Sequence, residues 1–106
     1  MDKTAVVEII DRLRNEVEER GIKLQSVILY GSEATGFSRE DSDIDVVIVS
    51  DDFANKSYWE RIDILTEAIF SVSAPIEAVA MTTDEWEHSG SLIAEFARNG
   101  DVLYAS

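Results

Sequence analysis

"LYGSEATGFSREDSDIDVVIV", residues 29–49, opens and closes as apolar strand. Between the two ends lie a Gly-Ser pair, a second glycine at position 36, and Asp43 and Asp45 at the head of the more hydrophobic strand. Side chains alternate along a strand, so Asp43 and Asp45 share one face while Ile44 and Val46 take the other. Neighbouring carboxylates repel each other strongly where water is scarce. A divalent cation removes that repulsion, and oxygen-only ligation suits a hard ion such as Mg²⁺, which also holds substrate phosphates. With no histidine or cysteine in the stretch, zinc is disfavoured. Gly31, directly after a strand, lets backbone approach an anion closely. A helical turn starting at Ser32 would aim its free N–H groups at the same anion. An Asp-x-Asp alone reads first as two solvated acids at a strand end. The Gly-Ser turn before it makes the pair a phosphate cradle beside a metal-binding site, an arrangement suited to phosphoryl or nucleotidyl transfer.

Outward from this stretch, helices and strands interleave. Residues 4–20 space Val6, Ile9, Ile10, Leu13 and Val17 along one helical face, and Gly21 stands where a C′ residue stops a helix. Residues 24–30 (LQSVILY) and 43–49 (DIDVVIV) are strands, the second apolar enough after its acids to be central in a sheet. The segment from Gly31 to Asp41 is the turn between them. Residues 56–71 carry Trp59, Ile62, Leu65, Ile69 and Phe70 as the apolar side of a second helix. Pro75 opens a third strand, PIEAVAMT, at a position where proline is tolerated. Thr82 followed by Glu85 predicts a capping box for a helix beginning near Thr83. A last helix covers Leu92 to Arg98, Asn99-Gly100 ends it, and VLYA closes the chain as a strand. This order predicts an α/β or α+β two-layer architecture. With no repeat, low-complexity tract or linker, residues 1–106 read as a single domain.

Charge narrows the function classes. Twenty-two acids against nine Lys and Arg leave a formal net charge of −13. Affinity for nucleic-acid backbone comes from cations that displace counterions, and here the basic residues are scattered, among them Arg12, Arg14, Lys23, Arg39, Lys56, Arg61 and Arg98. Direct nucleic-acid binding is therefore not expected, whereas metal ions and basic partner proteins are. No apolar run reaches the length of a membrane span, and no basic-then-apolar leader opens the chain. The absence of cysteine is compatible with a reducing cytoplasm, the expected location.

A third acid strengthens the carboxylate reading. Glu77 follows Ile76 and precedes Ala78 and Val79 in the third strand. A charge inside an apolar strand is at ease with a cation or a hydrogen-bond partner, or facing outward on a half-exposed strand. On a strand adjacent to residues 43–49 it would complete a three-carboxylate cluster.

These residues resemble a known family. "GSEATGFSREDSDIDVVIV" is similar to the nucleotidyltransferase superfamily signature, Gly-Ser, ten residues, then Asp-x-Asp. More narrowly it resembles the minimal nucleotidyltransferase (MNT) domains, along nearly the whole chain, including the closing "IAEFARNGDVLY". The resemblance implies a mixed, palm-like α+β sheet of about four strands flanked by helices, related to the polymerase-β catalytic domain. It implies that Gly31 and Ser32 bind nucleotide phosphates. Asp43, Asp45 and Glu77 would be catalytic and would ligate two Mg²⁺ ions, with Glu77 as the third acid where many relatives have aspartate. The implied reaction moves AMP from ATP, or another NMP from its NTP, to a hydroxyl, with release of pyrophosphate. The implied partner is a small helical HEPN-type protein, as in toxin–antitoxin pairs where the MNT chain adenylylates its partner. The chain departs from the pattern at Glu33 and Thr35, positions that are often basic in relatives, and the loss of two cations bears on how a triphosphate is held.

Three readings follow: an antitoxin-type adenylyltransferase; a non-catalytic antitoxin or regulatory subunit that neutralises a basic partner by binding; and a nucleotide sensor without turnover. His88, the only histidine, reads as an exposed helix-end residue. Trp59 and Trp86 read as core or rim packing, and Tyr30 and Tyr104 as structural.

Overall fold

Four short, largely apolar runs build one sheet. The computed structural model describes residues 3–31 and 44–105, so Ser32, Glu33, Thr35, Arg39 and Asp43 lie outside the described residues, as does most of the turn predicted between the first two strands. The strands are β1 (Ser26–Tyr30), β2 (Ile44–Val49), β3 (Ile76–Met81) and β4 (Asp101–Ala105), in the spatial order β3-β2-β1-β4. β1 runs antiparallel to β2 and β4, whereas β2 and β3 are parallel. The sheet is therefore mixed, flanked by helices, in an α+β arrangement, and β2 is central as its apolar run predicts.

Helices cover the sheet because each presents an apolar stripe. α1 (Lys3–Glu19) buries Val6, Ile10, Leu13 and Val17. Gly21 follows it in the left-handed region at φ 89°, which a side chain would resist. α2 (Tyr58–Val72) starts two residues later than the periodicity predicts, because Ser57 caps it. Its hydroxyl accepts from the Glu60 N–H, and the Glu60 carboxylate accepts from the Ser57 N–H. α1 and α2 pack on the face formed by Val27, Leu29, Ile44, Val46, Ile48 and Ile76, which holds the larger core.

Two short helices, α3 (Thr83–His88) and α4 (Leu92–Ala97), lie against the opposite face. There Ile28, Val47, Val49 and Met81 meet Ala94 and Ala97, with Trp86 alongside. α3 begins at the predicted capping box of Thr82 and Glu85. Between β2 and α2 sits a 3-10 turn (Asp51–Phe53) that periodicity does not reveal. The buried Ser50 hydroxyl builds it, donating to the Lys23 carbonyl at 2.6 Å and accepting from the Asp52 N–H at 3.1 Å.

Trp59 and Phe70 correct the predicted apolar side of α2. They are 70% and 83% exposed, while Leu65, Ala68 and Val72 are buried. At about 100° per residue, Leu65, Ala68 and Val72 form one stripe, and Trp59 and Phe70 lie roughly a third of a turn round from Leu65. Hydrophobic type alone does not say which arc of a helix meets the sheet.

Candidate functional site

Register brings the predicted strand acids together. Asp45 pairs with Tyr30 across the antiparallel β1–β2 ladder and with Glu77 across the parallel β2–β3 ladder. Residues level with one another on neighbouring strands point to the same face, about 4.8 Å apart between strands. Tyr30, Asp45 and Glu77 thus form a row on three adjacent strands. It lies on the face of Val47 and Val49, beyond the part covered by α3 and α4. Asp45 and Tyr30 are half-buried and Glu77 is exposed. The row opens to solvent.

Gly31 stands against this row. Its φ is 77°, and a Cβ built there would come within 2.5 Å of Asp45 Oδ2. Both facts call for glycine: the backbone is left-handed, and the space a side chain would fill belongs to the Asp45 carboxylate. The Gly31 backbone therefore lies directly beside the carboxylate, the close approach that a phosphate cradle requires.

The electrostatics have a definite sign. Burial pushes the Tyr30 phenol above its usual range, and the charges of Asp45 and then Glu77 push it further. Both acids therefore bear on one point with negative charge, which a cation would offset. The donor set is oxygen only, two carboxylates on neighbouring strands. It fits a hard divalent ion and not zinc. Among the described residues no group of three His, Cys, Asp or Glu side chains is gathered tightly enough to enclose a metal; Asp43 lies outside those residues.

The other singled-out residues fall elsewhere. His88 is exposed at the end of α3, its Nδ1 3.1 Å from Asp84 Oδ1. Trp86 is half-buried against the smaller core, with the Arg98 guanidinium 5.7 Å from its ring centre. Tyr104 is structural, with Arg14 over its ring at 4.5 Å. Trp59 is not among the buried core residues, and its ring meets that of Tyr58 in a T-shaped pair with centres 5.2 Å apart. Tyr30 belongs to the row although its sequence context reads as plain packing. The signal is its place one residue before Gly31, but only the β1–β2 register sets it level with Asp45.

A sequence profile described as "Nucleotidyltransferase domain" matches residues 10–94. No curated protein matches the chain. Among solved structures, a candidate nucleotidyltransferase from Sulfolobus solfataricus superposes with a TM-score of 0.70 at 16% identity, covering 93% of this chain and 79% of that one. A chain of a toxin–antitoxin structure with AMP-PNP superposes with a TM-score of 0.62 at 20% identity, covering 94% and 73%. A chain from the complex of tri-AMPylated Shewanella oneidensis HEPN toxin with MNT antitoxin gives a TM-score of 0.52 at 20% identity, covering 93% and 68%. At these identities the structural likeness speaks for the fold.

Proposed function

Because the chain belongs to the nucleotidyltransferase domain family, we propose that it transfers AMP from ATP to a hydroxyl of a partner protein, with Mg²⁺, as an antitoxin-type adenylyltransferase. The observation that carries this reading is the alignment of Asp45 with Glu77 on adjacent strands beside Gly31, whose missing side chain leaves room for the carboxylate. Support for a toxin–antitoxin setting comes from the neighbours with AMP-PNP and with an AMPylated HEPN toxin.

In this reading Asp45, Glu77 and Asp43 hold Mg²⁺. When bound, the ion supplies charge neutralisation and orientation for the triphosphate. Gly31 brings backbone close to the phosphates, and Ser32 offers its N–H and hydroxyl to them. Glu77, exposed at the rim of the row, accepts the proton of the attacking hydroxyl. The acceptor oxygen forms its bond to the α-phosphorus as the bond to the bridging oxygen breaks. Pyrophosphate leaves with that electron pair.

The test is calorimetric titration of ATP with and without Mg²⁺, comparing wild type with Asp45→Asn and Asp43→Asn, followed by pyrophosphate release in the presence of an isolated partner. The expected result is Mg²⁺-dependent binding weakened about tenfold or more by either substitution, and release abolished. Binding indifferent to both substitutions overturns the site. The net charge of −13 favours a second reading, neutralisation of a basic partner by binding alone. In that case Asp43→Asn and Asp45→Asn neutralise the partner as well as wild type does.

A further inference from the structure

We propose that the outer edge of β3 binds an extended, cationic segment of a different protein as a fifth strand. A groove of about 280 Å³ lies along this edge. Ala78, Val79 and Ala80 line it together with Tyr58 and Ile62 of α2 and Ile93 at the head of α4. Ala78 and Ala80 belong to the face under α1 and α2, and Val79 to the opposite face. Lining from both faces places the groove in the plane of the sheet, where a next strand would lie.

The backbone is presented to match. The Pro75 and Met81 carbonyls accept from Ile44 and Ser50 on the β2 side. By alternation the odd-numbered residues of β3 face β2, and the N–H and C=O of Ala78 and Ala80 point outward. From Ala78 to Met81 the strand carries no charge or proline, and its pairing with β2 shows no register shift. These are the devices that blunt a free edge. The opposite edge is blunted along its pairing: the ladder of β4 with β1 shifts register between Val27 and Ile28.

Charge selects the occupant. Exposed Glu77 marks one end of the groove strand, and exposed Asp84 follows the other end. The cation in the lining, Arg61, is already engaged, donating to Glu85 Oε1 at 2.7 Å and to the Phe53 carbonyl at 3.1 Å. A second copy of this chain would bring a further −13, so a basic segment of another protein fits and self-association does not. The docking stands on this geometry alone. Where the proposed transfer also holds, the bound segment ends beside Glu77, which would deliver an acceptor hydroxyl to the row.

The full chain, isotopically labelled and free of nucleotide, is titrated with three acetylated peptides of equal length: alternating Lys-Val, Lys-Gly and Glu-Val. The expected result is binding of Lys-Val above the other two, with amide exchange slowed at Ala78 and Ala80. Ala80→Pro removes an outward N–H and leaves the β2 ladder intact; it and the exposed-site change Tyr58→Ser each weaken binding about tenfold. Equal binding of Lys-Gly, slowed exchange elsewhere, indifference to both substitutions, or no binding overturns the proposal. So does a concentration-dependent dimer that competes with the peptide. Tyr58→Ser carries the test if Ala80→Pro unfolds, and loss of nucleotide transfer with peptide binding retained marks failure of the catalytic reading alone.

Discussion

At the residue scale, the candidate site depends on what is absent from Gly31. Adding one methyl there does two separable things. It forces a left-handed conformation on an L side chain, costing about 1–2 kcal/mol, and it displaces the Asp45 carboxylate, whose Oδ2 occupies the same space. We expect Gly31→Ala to lower stability by that amount in urea denaturation. It should also weaken Mg²⁺-dependent ATP binding far more than that modest loss would suggest. Tyr30 supplies an independent reporter. Burial and then the charges of Asp45 and Glu77 raise its pKa, so the folded chain holds the phenolic proton to higher pH than the unfolded chain does. Its contribution to stability is complete below the ordinary tyrosine range and is lost as pH rises through the folded value. Glu77→Gln should move Tyr30 ionisation downward, read by phenolate absorbance with the other tyrosines replaced by phenylalanine. Mg²⁺ added to wild type should move it the same way. A Tyr30 titration that ignores both would mean the row does not share one electrostatic environment.

At the element scale, two capping boxes set where helices begin, and one does more than cap. Glu85 accepts from the Thr82 N–H at 2.8 Å and from Arg61 Nη1 at 2.7 Å, linking α3 to α2. Burial would raise its pKa, but the Thr82 N–H and the Arg61 guanidinium outweigh that and leave it lowered. A depressed carboxylate stabilises the fold above its unfolded pKa, and that stability is lost as pH falls through the folded value. Glu85→Gln should therefore lower stability at neutral pH, by an amount kept small because the pair is partly solvated, and the difference from wild type should vanish at low pH. Thr82→Ala should cost about 1 kcal/mol, measured by thermal or urea unfolding. Both capping boxes are spelled out by residues three apart; the Thr82–Glu85 one is read directly from the sequence, whereas the tie to Arg61 joins residues 24 apart and depends on how α2 and α3 are carried by the sheet.

At the scale of the whole molecule, a net charge of −13 on 106 residues acts everywhere at once. Self-repulsion works against the compact state and is screened by salt. Raising NaCl from about 0.05 M to about 0.5 M should therefore move the urea midpoint upward while any association with a basic partner slows. An unchanged midpoint would mean the acids are locally compensated in the folded chain. The exposed aromatics belong to this scale as well. Trp59 and Phe70 look like core residues in a linear reading, yet α2 turns them outward together with Tyr58, and the groove that Tyr58 lines runs along β3, where the described sheet ends.

Local chemistry is enough to determine most of the elements of this protein, including the cap at Thr82 and the Gly21 stop. Those follow from periodicity and from contacts within a few residues, which any chain with this spelling would satisfy. The level row of Tyr30, Asp45 and Glu77 was decided by tertiary structure. A strand's partner and register depend on which apolar faces must be buried together, and a slip of one residue would turn Asp45 into the core and Val46 out of it. That choice was made by α1 and α2 covering Val46, Ile44 and Ile76, so the apolar neighbours of Asp45 and Glu77, not the acids themselves, fix the row.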